Sequence, residues 1–229
     1  MKGISQTWAL AASLFAVALL MPQRLSAQSK NMTPEEIRQY AAQQAEAIWH
    51  EYFTETVDSV KVDGQMCRHG DYLLKYKGKT IEKGRYDKGR KVGAWIFWNY
   101  QNLVELRYDF DSETPQYIVQ HIGHKYSKTE RPCVFLGSPI VPYYFILSNV
   151  FYPQSEGNRN GGKVILAIKV DADGRMSGYR IKESTSANFA KAVRVAADMI
   201  PTDKWRWLPA LKGGKPVSEE YDIVIYFDN

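Results

Sequence analysis

Four residues, Asp171–Gly174 ("DADG"), constrain this chain more than any others. An Asp-Gly step between two apolar runs marks a tight antiparallel hairpin, because the glycine supplies the positive φ that such a turn needs. The flanking runs are "KVILAIKV" over 163–170 and "MSGYRIK" over 176–182. Ser184, Thr185 and Ser186 then offer N-caps to "ANFAKAVRVAADMI", where Phe189, Val193, Ala196, Ala197 and Ile200 share one stripe at helical spacing. Pro201 stops that helix, and Gly213-Gly214 turns the chain into a third strand, Tyr221–Phe227. Upstream, "IVPYYFILSNVF" over 140–151 reads as a helix beyond Pro142, closed by Tyr152-Pro153. The order helix–β–β–α–β predicts an α+β domain over 131–229, with a three-stranded antiparallel sheet packed by two helices.

Between the second helix and the last strand lies "DKWRWLPALKGG". Trp205 and Trp207 alternate along an extended segment and so share a face. An indole buries upward of about 150 Å², enough for such a pair to close the open face of a small sheet. Pro209 cannot donate to a ladder and is confined to an edge or strand end. Structural closure is the expected role of both tryptophans, with direct ligand contact as the alternative.

Residues 70–128 have a different texture. Glycines at 70, 78, 84, 89 and 93 punctuate short aromatic runs. Tyr72, Leu74 and Tyr76 alternate, Lys77-Gly78 and Asp87-Lys88-Gly89-Arg90 are turns, and Gly93–Trp98 follows as a further strand. The pattern predicts a small antiparallel β-meander with one aromatic face buried, followed by a linker strand, "QYIVQHI". Gly84, Tyr86, Gly89, Gly93 and Trp95 fill once a unit that is similar to the membrane-occupation-and-recognition-nexus (MORN) repeat, and Gly70–Gly78 fills it in part. That is fewer than the roughly three repeats a free-standing solenoid needs, so the meander is expected to lean on its neighbours.

Residues 28–69 are expected to hold an N-terminal helix and a connection. Thr33, Pro34 and Glu36 form an N-cap and capping box, and Ile37, Tyr40, Ala41, Gln44, Ala45, Ile48 and Trp49 follow along one stripe of a helix reaching Phe53. Residues 1–27 read as a cleavable secretory leader. Lys2 gives a positive start, Trp8–Met21 is a 14-residue run with Ser13 as its one polar member, and Leu25-Ser26-Ala27 is a small-residue cleavage site. At about 1.5 Å per residue the run spans roughly 21 Å, short of a hydrocarbon core of about 30 Å, which disfavours the rival reading of an uncleaved anchor. No later segment approaches membrane length, so the mature protein is expected to be soluble.

Charge and motifs narrow the function. Of 30 basic residues Lys2 and Arg24 lie in the leader, so the excess over 25 acidic residues falls from +5 to about +3, without a basic run. Nucleic acid is not the expected partner. Cys67 and Cys133 could form a disulfide in an oxidising compartment or remain free thiols. His121 and His124 sit three apart around Gly123, with no third ligand nearby, so no metal or other cofactor is expected. Gly-x-Ser-x-Gly, His-Glu-x-x-His and the P-loop are all lacking, and the chain does not read as an enzyme.

The composite of Tyr152-Pro153, Gly162–Val164, Val170-Asp171-x-Asp173-Gly174-Arg175, Ser184, Phe189, Trp207-x-Pro209-Ala210 and Gly214–Val217 resembles the C-terminal domain of TonB, the energy transducer of Gram-negative envelopes. With the repeat unit upstream, the chain looks like TonB-related proteins of Bacteroidota. The resemblance implies recognition of an extended peptide of an outer-membrane transporter by strand addition, in support of TonB-dependent transport. It places partner contacts at Tyr152 and Pro153 and along the last strand, at Tyr221, Asp222, Ile223, Val224, Ile225, Tyr226 and Phe227. The chain departs from the classical transducer in having 10 scattered prolines rather than a long Pro-rich spacer. A periplasmic adaptor is therefore expected, with an envelope scaffold protein as the alternative; another envelope protein as partner, and a homodimer, stay open.

Overall fold

The computed structural model describes residues 49–119, 127, 129–150 and 161–227, with Glu35, Gln39, Gln43, Glu46 and Ala47. The leader and its cleavage site, the Thr33–Glu36 cap, His121, His124, Tyr152 and Pro153 lie outside these residues. The described positions before Phe53 are helical up to Tyr52.

Six antiparallel strands follow in simple meander order: β1 (Phe53–Val62), β2 (Gln65–Tyr76), β3 (Lys79–Asp87), β4 (Arg90–Trp98), β5 (Val104–Asp109) and β6 (Thr114–Ile118). Three of the connections are two-residue turns, Asp63-Gly64, Lys77-Gly78 and Lys88-Gly89, with positive φ at both residues. This backbone matches the twist of the flanking strands. The sheet thus begins at Phe53, which corrects the expectation of a helix through Phe53 and a connection up to residue 69. Asp63-Gly64 carries the same Asp-Gly signal as the later hairpin. That signal stands alone in the sequence because β1 is polar and largely exposed and lacks the apolar alternation that marks a strand.

The buried face of the meander is aromatic, as expected. Trp95 is fully buried, with its ring centroid 5.1 Å from those of Tyr72 and Tyr86. The indole lies flat against Gly84, where any Cβ would strike it. Phe97, Leu74 and Leu106 extend this core.

The C-terminal part contains β7 (Val134–Phe135), α1 (Ile140–Asn149), β8 (Gly162–Val170), β9 (Met176–Ser184), α2 (Ala187–Ala197), β10 (Trp207–Leu208), β11 (Ala210–Lys212), β12 (Lys215–Val217) and β13 (Glu219–Phe227). The main sheet has the order β13-β8-β9, all antiparallel. Helix α1 starts before Pro142 rather than after it, because a proline in the first turn has no intrahelical N–H bond to lose. Ser186 caps α2 by accepting from the N–H groups of Asn188 and Phe189. The helix ends at Ala197, short of Ile200, which is buried nonetheless.

The two parts share their packing. β7 and β10 form a two-stranded ribbon with Trp207 opposite Phe135 and Leu208 opposite Val134. Opposed residues point to one face, so Trp207 and Phe135 enter the C-terminal core while Leu208 and Val134 pack into the meander core. Next to the ribbon, fully buried Ser138 donates its N–H to Glu82 Oε1 at 2.8 Å and its hydroxyl to the Trp98 carbonyl at 2.6 Å. The meander is built into the C-terminal part rather than strung before it.

Candidate peptide-binding edge

β13 alternates strictly. Ile223, Ile225 and Phe227 are buried and Tyr221 half-buried on the helix side, where Phe227 stacks on Phe189 with centroids 4.2 Å apart. Asp222, Val224 and Tyr226 occupy the other face, and Tyr226 is 39% exposed. Among the described strands β13 is an edge of its sheet, paired with β8 alone.

The direction of its unpaired groups follows from one residue of β8. Lys163 donates its N–H to Thr185 Oγ1 at 3.1 Å and accepts the Thr185 N–H at 3.0 Å. Both of its backbone groups therefore point toward the β9 side, away from β13. Its register partner is Tyr226, so that pair is of the non-hydrogen-bonded kind. The register with β8 runs without a shift, and Val224 opposite Ile165 and Asp222 opposite Ala167 repeat the same phase. The N–H and C=O groups of Asp222, Val224 and Tyr226 all point outward, to the open side of β13. Those of Ile223 and Ile225 are held in the ladder with β8.

Charges on the solvent face lean inward. Arg180 grips Glu220 with two bonds of 2.6 and 2.8 Å, and Lys182 reaches Asp222 at 2.7 Å. The Arg180 bonds hold the Glu220 carboxyl below its ordinary range.

Behind the sheet the tryptophans close the core, as the sequence suggests. Trp205 and Trp207 are both buried, each edge-on to Phe135 at 5.6 and 5.4 Å, and Trp205 also meets Phe145 at 5.2 Å. Neither ring is a contact surface. Cys67 and Cys133 are both free thiols, so no disulfide joins them, and burial pushes the Cys133 thiol up to about 12. Among the described residues no group of His, Cys, Asp and Glu could hold a metal ion, and no helix is long and apolar enough to cross a membrane.

The C-terminal part is thus a small antiparallel sheet with one open edge and a core closed from behind, and comparison with known proteins shows what it is similar to. Residues 148–228 match the family of Gram-negative bacterial TonB protein C-terminal domains. The chain is also similar to the TonB C-terminal domain of Pseudomonas aeruginosa solved by NMR, with 29% identity over 35% of this chain and 78% of that one, at a TM-score of 0.23. No curated protein matches. Residues 148–228 are therefore similar to the TonB protein C-terminal domain, a likeness confined to this part of the chain.

Proposed function

We propose that this is a periplasmic protein that captures an extended segment of an outer-membrane transporter as an added strand on β13, in support of TonB-dependent transport. The observation that carries the reading is the outward set of N–H and C=O groups at Asp222, Val224 and Tyr226. An unpaired edge is a template for another chain: main-chain bonds supply affinity, and alternate side chains supply selectivity. Val224 and half-exposed Tyr226 give the guest an apolar neighbour on the solvent face. Contacts at Tyr152 and Pro153 belong to the same proposal.

The test is calorimetric titration of the full chain with N-terminal peptides of outer-membrane transporters. Saturable one-to-one binding that competes among extended peptides is expected. Absence of binding to every such peptide would exclude this role.

A further inference from the structure

We infer that Arg180 and Lys182, on β9 and two strands away from the open edge, set the charge preference of that edge so that it takes an electrically neutral guest strand. The inference rests on the strand-addition reading above.

A guest bonded to the outward groups of Asp222, Val224 and Tyr226 would place its own side chains directly opposite these residues, on the same face. Its nearest neighbours there are Glu220, Asp222, Val224 and Tyr226. Left alone, the two carboxylates would give the lane a doubly negative end and favour lysine or arginine in the guest. They are not left alone. Arg180 engages Glu220 through both carboxylate oxygens, and Lys182 engages Asp222 at 2.7 Å.

The route of these bonds matters. In register, Ala167 of β8 stands between Arg180 on one side and Asp222 on the other. All three residues share one face, and Ala167 is only 1% exposed. The small methyl leaves room for long side chains to cross above β8, so the acidic groups turn back over the sheet, away from the guest lane. Lys163 is engaged as well, with Glu183 at 3.1 Å. What remains upright at the edge is Val224 and Tyr226. On the other face the guest meets the apolar row of Tyr221, Ile223, Ile225 and Phe227. The matching occupant is an extended segment with apolar residues on one side and small neutral or β-branched residues on the other, such as alternating valine and threonine.

The test uses the full chain and N-acetylated octapeptides in which valine alternates with threonine, lysine or glutamate. Wild-type protein should bind the threonine peptide and separate the lysine and glutamate peptides by less than about twofold. Arg180→Ala/Lys182→Ala frees both carboxylates and should shift the lysine-to-glutamate ratio about three- to tenfold toward lysine, the range for two exposed cross-strand charge pairs. High salt should erase that shift. Glu220→Gln/Asp222→Asn, which leaves the two cations uncompensated, should move the ratio the opposite way. An unchanged ratio in both variants, with the threonine peptide still bound, would overturn the inference and leave strand addition standing. Failure of all three peptides to bind the wild type would overturn strand addition and this inference together.

Discussion

The backbone N–H of Trp207 donates to the carbonyl of Gly174 at 2.9 Å, which ties the two-core ribbon to the turn of the β8–β9 hairpin. Gly174 has φ +77, and a Cβ there would collide with the Trp207 carbonyl oxygen. One residue thus meets two demands, a left-handed turn and close backbone approach. Gly174→Ala should cost roughly 2–5 kcal/mol, combining left-handed strain with overpacking. Thermal unfolding of the full chain measures it, and a loss below about 1 kcal/mol would mean that the turn relaxes freely.

The ribbon predicts coupled loss from both cores. Trp207→Ala should destabilise by about 3–5 kcal/mol and Leu208→Ala by about 2–5 kcal/mol, although the two side chains point into different cores. A fragment of residues 131–229 would expose Leu208 and Val134 and lose the Ser138 bonds to Glu82 and Trp98. It should melt below the full chain. Equal melting temperatures in scanning calorimetry would show that the C-terminal part does not depend on the meander.

Proline substitutions separate binding from folding along β13. At Val224 and Tyr226 the N–H points outward, so Val224→Pro and Tyr226→Pro should keep the fold while abolishing peptide binding. At Ile225 the N–H lies in the ladder with β8, and Ile225→Pro should cost about 3 kcal/mol or more. Circular dichroism beside peptide titration reads both effects. Normal binding by the folded Val224 and Tyr226 variants would rule out this edge.

Glu82 gives a pH signature. Burial pushes its carboxyl above the usual value, while Lys91 and the Ser138 N–H pull it partly back. An acid with a raised native pKa binds its proton more tightly folded than unfolded. Its contribution therefore favours the fold at low pH and is lost as pH rises from about 4.5 through the raised value. Glu82→Gln keeps an acceptor for Ser138 without the buried charge. It should gain stability relative to wild type at neutral pH, and the difference between the two curves should shrink toward pH 4.5. A constant difference between the two chemical-denaturation curves across that range would show that Glu82 is not the titrating group.

The sequence by itself determined what is local in this protein. The Asp171–Gly174 and Lys77-Gly78 turns, the Ser186 cap, the aromatic face around Trp95 and the two faces of β13 all depend on residues within a few positions of each other. Their backbone preferences and side-chain periods act before any distant contact forms. β1 shows the limit of such signals, since its turn was written in Asp63-Gly64 but its exposed, polar strand gave no alternation to confirm it. The tertiary structure decided the rest. Whether the N–H of Val224 faces β8 or the open edge depends on the phase of pairing, which only Lys163 and Thr185, 22 positions apart, disclose. The division of Trp207 and Leu208 between two cores needs β7 as a partner, and the inward lean of Glu220 and Asp222 needs β9 beyond β8. Side-chain periodicity says which face a residue occupies but carries no information about which strand lies beside it, and that is set by long-range register.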